Sequence, residues 1–173
     1  MFLSLKYSKK EVILMRQYHI LEPIYDENSK ILILGSFPSV KSREKMMYYS
    51  HPQNRFWKVM SNLFDEIILD KKEFLLKHNI ALWDVIESCD IEGSSDSSIK
   101  NIKVNDIKMI VDKSKVVNIF VLGKKAMSLY NKYVLSNLNM NAILLSSTSP
   151  ANANKSLNDL ILEYKIILEY LNK

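Results

Sequence analysis

The sequence predicts an α/β domain built on a parallel sheet with helices over both faces. Three observations carry this reading. Four short apolar runs, at 31–34, 80–86, 116–122 and 141–145, have the length and continuous hydrophobicity of strands buried on both sides. Segments with helical spacing of apolar residues separate them, the alternation that produces parallel strands. Polar loops follow all four runs, at 35–39, 84–88, 123–125 and 146–154. They can open together on the carboxyl edge of the sheet, where open α/β folds bind their ligands.

Taken in order, residues 1–22 place Tyr7, Arg16, Tyr18 and His19 in a mixed polar and apolar stretch, expected to form a short element leading to Pro23. Asp26-Glu27-Asn28-Ser29 is a turn. Residues 55–64 carry apolar side chains at 56, 57, 60, 63 and 64, which predicts a helix. Residues 70–78 predict another, with Asp70 as its N-cap. The stretch from Glu92 through Gly93 to Ser98 is the one low-complexity patch. It reads as a loop, because strand and helix patterning resumes at once. Short helices are expected over 105–111 and 124–133, and a closing amphipathic helix over 157–171. No repeat or boundary divides residues 1–173, so a single domain is expected.

Composition narrows the class. The 173 residues are 47% hydrophobic and 25% charged, ordinary for a globular domain with a real core. No apolar run is long enough for a membrane span, and Met1-Phe2-Leu3-Ser4-Leu5-Lys6 lacks a signal-peptide layout. The single cysteine, Cys89, permits neither an internal disulfide nor a cysteine metal site. A cytoplasmic protein, nucleoid-associated in a prokaryote, is the simple expectation. The net charge of +5 suits a polyanionic partner. A lysine-rich, Asn- and Ile-rich composition from a low-GC genome accounts for it equally well.

Chemistry concentrates in two segments. Gly35-Ser36-Phe37-Pro38-Ser39 makes a tight turn at the carboxyl end of the first apolar run. Tyr49-Ser50-His51-Pro52-Gln53-Asn54-Arg55-Phe56-Trp57 mixes His, Gln, Asn and Arg with three aromatic types within nine residues. That mixture suits a pocket that stacks a flat ring and hydrogen-bonds its edge. With three glycines in the chain and neither Gly-x-Gly-x-x-Gly nor a Gly-Lys-Ser/Thr loop, a nucleotide-phosphate cradle is disfavoured.

These segments, together with Ala81-Leu82-Trp83-Asp84-Val85, Ser147-Thr148-Ser149-Pro150-Ala151-Asn152 and a final helix, resemble the uracil-DNA glycosylase superfamily, and within it the hypoxanthine-DNA glycosylases. The resemblance spans about residues 29–171. It implies a three-layer α/β/α sandwich around a four-stranded parallel sheet. It also implies a monofunctional enzyme, monomeric, without cofactor or metal, that hydrolyses the glycosidic bond of a deaminated base flipped out of DNA.

Site residues follow from the same resemblance, each beside a plainer structural reading. Tyr49 is expected to stack on the base, with Tyr48 as competitor and a core aromatic as the alternative. Asn54 is the leading catalytic candidate, holding water or donating to the departing base; alternatively it ties its loop together. His51 either contacts phosphate and assists the leaving group or caps locally. Ser36, Phe37 and Gln53 are candidates for base binding. Phe37 stands where several branches carry a water-orienting Asn or Asp, a departure that favours the hypoxanthine branch. Ser39, Ser147, Thr148, Ser149, Pro150 and Asn152 are expected to meet DNA, Asn152 near the place of an intercalating leucine. Arg55, Phe56 and Trp57 read as mainly structural. Asp84 either faces the pocket or caps the next segment, and Lys124 and Lys125 either meet phosphate or stay solvated. The alternatives are a uracil or mismatch glycosylase on the same fold and a damage-binding protein that does not cut.

Overall fold

The computed structural model describes residues 15–92 and 96–172. Tyr7 and the stretch 93–95 therefore lie outside the described residues. Among the described residues there are seven strands and eight α-helices: β1 Met15–Tyr18, β2 Ile31–Gly35, α1 Val40–Glu44, α2 Phe56–Phe64, α3 Lys71–Lys77, β3 Ile80–Asp84, β4 Ile86–Ile91, β5 Lys100–Val104, α4 Ile107–Asp112, β6 Asn118–Leu122, α5 Lys124–Tyr133, α6 Leu135–Leu138, β7 Ala142–Leu145, α7 Leu157–Tyr164 and α8 Ile166–Leu171.

The four apolar runs form one sheet in the order β3-β2-β6-β7, with every pairing parallel. Residues 31–34 of β2 are fully buried, and so are Phe120 and Val121 of β6. Helices cover the sheet to give the expected three-layer sandwich. On α2 the buried residues Phe56, Val59, Met60 and Leu63 recur at helical spacing and face the core. Short polar side chains set two of the longer helix starts, Asp70 as expected and Ser156 in addition. Asp70 accepts from the Glu73 N–H at 2.8 Å, and Ser156 with Asp159 forms a reciprocal capping box.

A second sheet corrects the strand reading. β1, β4 and β5 form an antiparallel three-stranded sheet with β4 in the middle. The run at 80–86 is thus not one strand. β3 ends at Asp84, and Ile86 opens β4, so 86–88 is strand and not loop. Hydropathy hides the break because Val85 and Ile86 are both fully buried. Their N–H groups bond the carbonyls of Gly35 (2.9 Å) and Ser36 (3.0 Å), carrying the chain out of one sheet and into the other. β5 escapes a hydropathy reading because it is an exposed edge strand with Lys100 and Lys103 on it.

Two helix boundaries also shift. The helix expected over 105–111 begins at Ile107, since Asn105 is a tie: its Nδ2 donates to the carbonyls of Asp84 (2.9 Å) and Ile86 (3.1 Å). The closing helix divides at Lys165, whose N–H bonds Leu162 one residue short of the α pattern. Leu160, Tyr164 and Ile167 keep one buried stripe across the break, which is why the sequence reads as continuous. Two short helices, α1 and α6, are too brief to show a period.

Asn105→Ala removes both bonds at the junction of the two sheets and leaves two buried carbonyls without donors. The expected loss is about 2 kcal/mol, a melting temperature lower by roughly 4–8 °C. An unchanged melting curve would show that the junction does not depend on this amide.

Candidate functional site

A cavity of about 420 Å³ opens where the four parallel strands end. It takes Gly35 and the turn after β2, Asp84 at the end of β3, Leu122 and Gly123 after β6, and Ser147 to Ala151 after β7. Tyr49, His51 and Asn54 come in from the segment between α1 and α2. Its size is that of a small-ligand site. Three of the four loops read as opening on one edge do so, those after β2, β6 and β7, because parallel strands place their carboxyl ends together; after β3 the chain passes into β4, and of residues 84–88 only Asp84 lines the cavity.

Asn54 is held by its oxygen. Oδ1 accepts from the backbone N–H of Phe56 and from the Thr148 hydroxyl, both at 2.9 Å. Two donors fill the two lone pairs of an amide oxygen. The Nδ2 group has no partner among the described residues, and Asn54 is one of the residues that line the cavity. Asn54 is therefore presented as a donor, and its acceptor is spent on structure. The tie to its loop and the pocket-facing donor, set as alternatives by the sequence, are two ends of one side chain.

Tyr49 adopts φ +53°, a left-handed conformation that costs a non-glycine residue roughly 1–2 kcal/mol. One face of its ring stacks on Phe56, with centroids 4.2 Å apart and planes 24° from parallel. Its hydroxyl is buried without a partner among the described residues. Burial, followed by the nearby Asp84 carboxylate, pushes this phenol well above its ordinary pKa and keeps it neutral. Tyr48, the competitor, is a core residue whose hydroxyl donates to the carbonyl of Glu22 at 2.9 Å.

The β2 turn requires glycine for space. A Cβ at position 35 would lie 2.2 Å from Asp84 Oδ1 and 2.9 Å from the Tyr49 hydroxyl. Asp84 thus faces the cavity, and its Oδ2 meets His19 Nε2 at 2.9 Å in a buried contact. Phe37 lines the cavity with the Arg43 guanidinium 5.2 Å from its ring centroid. Ser36 lines it as well, and its carbonyl carries the Ile86 ladder bond. Ser39 lies at the rim as the N-cap of α1, its hydroxyl accepting from the Ser42 N–H at 3.2 Å. His51 Nδ1 accepts from the Gln53 N–H at 3.2 Å. Gln53 itself is exposed and lies outside the cavity lining.

The β7 loop is built as one piece with this segment. Arg55 donates to the carbonyls of Thr148 (3.4 Å), Ser149 (2.9 Å), Asn152 (2.9 Å) and Lys155. The Thr148 side chain is buried and pins Asn54, while Ser147, Ser149 and Pro150 line the cavity. Asn152 folds back, Nδ2 to the Ser147 carbonyl at 2.8 Å, and lies outside the cavity lining. Ala151, next to it and exposed, takes the place at the rim. Lys124 and Lys125 border the opening at the start of α5.

Sequence reasoning missed His19 as a site residue. It sits 65 positions before its partner, just after β1 of the second sheet. The one signal was its place in the cluster with Arg16 and Tyr18.

A cavity of mixed polar and apolar lining over the carboxyl edge of a parallel four-stranded sheet, with an aromatic wall and a fixed amide, has the chemistry to receive a planar, hydrogen-bonding ligand in an α/β protein. The uracil DNA glycosylase superfamily model matches residues 22–171, and the chain belongs to that superfamily. It is 32% identical over 135 residues to a hypoxanthine DNA glycosylase from Methanosarcina barkeri (strain Fusaro / DSM 804), covering 75% of this chain and 85% of that protein. It is 42% identical over 102 residues to a hypoxanthine DNA glycosylase from Methanosarcina acetivorans, covering 54% of this chain and 65% of that protein. Among solved structures, the solution NMR structure of a candidate uracil DNA glycosylase from Methanosarcina acetivorans superposes with a TM-score of 0.76. That match has 32% identity and covers 92% of this chain and all of that one.

Replacing Arg55 by Lys leaves one ammonium where a fork meets four carbonyls. Amide hydrogen exchange across 148–155 should then speed up at least tenfold, with smaller change in β2 and β6. Uniform protection in the variant would show that the loop is held by other contacts.

Proposed function

We propose that this protein is a monofunctional DNA glycosylase that removes hypoxanthine from deoxyinosine in DNA, leaving an abasic site. The names of its two Methanosarcina relatives support the base assignment. The observation that carries the chemistry is the fixed orientation of Asn54, donor toward the cavity.

The base flips out of the duplex and enters the cavity. The free face of Tyr49 stacks on it, the other face being backed by Phe56. The water oxygen forms a bond to C1′ as the bond from C1′ to the base breaks through an oxocarbenium-like sugar. The electron pair leaves with the base, and the water proton passes to the base or to solvent. Asn54 Nδ2 donates a hydrogen bond to the base as negative charge grows there. Its oxygen, filled by two donors, leaves no acceptor for the other role considered, holding the attacking water. His51, whose Nδ1 accepts a backbone N–H, presents Nε2–H as a second donor when neutral. Ser36 and Phe37 frame the base; the Phe37 backbone N–H is a further donor without a partner among the described residues.

The rim binds the DNA. Ser39, Ser147, Ser149 and Pro150 meet the backbone near the flipped nucleotide, Lys124 and Lys125 add positive charge, and Thr148 serves by fixing Asn54. The exposed Pro150-Ala151 tip, with Asn152 folded behind it, fills the gap left by the base. The protein works as a monomer in the compartment that holds the chromosome. Among the described residues no helix is long and apolar enough to cross a membrane.

Labelled duplexes carrying one hypoxanthine or one uracil, incubated with the protein in EDTA and then treated with alkali, test this directly. Strand breaks mainly at hypoxanthine are expected. Breaks mainly at uracil would move the chain to a sister branch, and lesion binding without breaks would make it a recognition protein. Asn54→Ala should lower the single-turnover rate by about 10²–10³-fold. Full activity in that variant, with folding intact, would remove Asn54 from the mechanism. Thr148→Val, which keeps the shape and loses the pin, should cost roughly tenfold, a value read best under the same single-turnover conditions.

A further inference from the structure

The positive charge of the chain is gathered on one side. Residues 113–158 hold six lysines, at 113, 115, 124, 125, 132 and 155, and no Asp or Glu. This stretch carries +6 against a net +5 for the whole chain, so the entire excess lies here. Much of it builds β6, α5, α6 and β7, at the outer edge of the parallel sheet. A shallow groove runs there between α5 and β7, lined by Lys124, Met127, Ser128, Asn131, Lys132 and Leu144. Lys124 also borders the cavity, so groove and cavity meet at that residue. Elsewhere Lys41, Lys77, Lys103 and Lys108 are paired with Glu44, Glu66, Glu87 and Asp112. The polar side chains of the groove have no hydrogen-bond or ion-pair partner among the described residues, and Lys132 Nζ rests 4.9 Å from the Tyr133 ring centroid.

We propose that this groove binds single-stranded DNA, the unpaired strand that continues from the nucleotide in the cavity. The glycosylase reading above supplies the point where that strand begins. Two unpaired ammonium groups, a hydroxyl and an amide along α5 match a run of phosphates. Positions 124, 128 and 132 recur every four residues, so they form one stripe along a helix of ten residues, about 15 Å long. Exposed Leu144 and part-buried Met127 add apolar surface to the same groove. Such surface serves bases and sugars, and a duplex that presents its phosphates has little use for it. Direction also disfavours a duplex. β6 and β7 are parallel, so α5 runs back from the cavity edge toward the amino ends of the strands. A duplex lying across the cavity is too stiff to turn down that path within a few nucleotides, whereas a single strand can follow it. The protein then grips a deaminated base best where the duplex ends or opens beside it.

The test measures binding to duplexes that carry a tetrahydrofuran abasic analogue, as salt is varied. The duplexes are blunt, or bear a tail of about eight thymidines that begins beside the lesion on its 5′ or its 3′ side. One of the two tails should raise affinity about tenfold at low salt and steepen the salt dependence. Lys132→Glu should remove that gain and leave affinity for the blunt duplex within about twofold. Lys72→Glu makes the same charge change at an exposed position of α3 and should keep the gain. Equal affinity for blunt and tailed DNA overturns the proposal, as does a gain that survives Lys132→Glu or falls as far in Lys72→Glu. Excision of hypoxanthine is read on the same proteins. A wild type that leaves hypoxanthine in place, yet shows a tail gain lost in Lys132→Glu alone, overturns the glycosylase reading and keeps the groove. Excision without any tail gain overturns the groove and keeps the glycosylase reading.

Discussion

The fork of Arg55 is the interaction on which the site depends. One guanidinium donates to four backbone carbonyls between Thr148 and Lys155, and the Arg55 N–H bonds the Thr148 carbonyl as well. Loop carbonyls of this kind need donors when they leave water, and a planar group with five N–H donors can serve several at once. The result joins two segments about a hundred residues apart into a single wall. Asn54 immediately precedes the fork, and Thr148 lies under it. The bond between their side chains, which aims the Asn54 amide, exists because Arg55 sets the distance between the two backbones.

A second constraint works by absence. Gly35 has no side chain, so the Asp84 carboxylate and the Tyr49 hydroxyl both close onto the end of β2. Tyr49 reaches that position only through a left-handed backbone, and its stacking on Phe56 offsets the cost. Phe56 is in turn the first residue of α2, and its N–H donates to the Asn54 oxygen. The aromatic wall, the amide donor and the carboxylate floor are thus mechanically linked through three short contacts. Such linkage suits chemistry without a strong acid, where catalysis rests on donors held where charge develops.

The antiparallel sheet explains how a small α/β domain supplies a buried histidine to its pocket. β4 leaves the end of β3 and pairs with β1, so the chain just after β1 is carried beneath the cavity. The parallel sheet alone ends its strands at the floor without a partner for Asp84. The added strands place His19 there.

Much of this was legible in the sequence. Continuous apolar runs announced the four parallel strands because strands covered on both faces must be apolar throughout, although the edge strand β7 carries such a run while only part-buried, with Leu144 exposed. The stretch from Tyr49 to Trp57, with polar groups dense among aromatics, pointed to a pocket, and the resemblance to the superfamily singled out the loop from Ser147 to Asn152. The sequence also determined the helix starts at Asp70 and Ser156, where one short side chain and its own backbone suffice. What it did not contain was anything that depends on separation in space. The break at Val85 was invisible because both sides of it are buried, and β5 because an exposed edge has no apolar pattern. The orientation of Asn54, the folding-back of Asn152 and the meeting of His19 with Asp84 were decided by the tertiary structure alone. Each is a hydrogen bond to a partner fixed by other elements, and local composition carries no record of which donor will arrive.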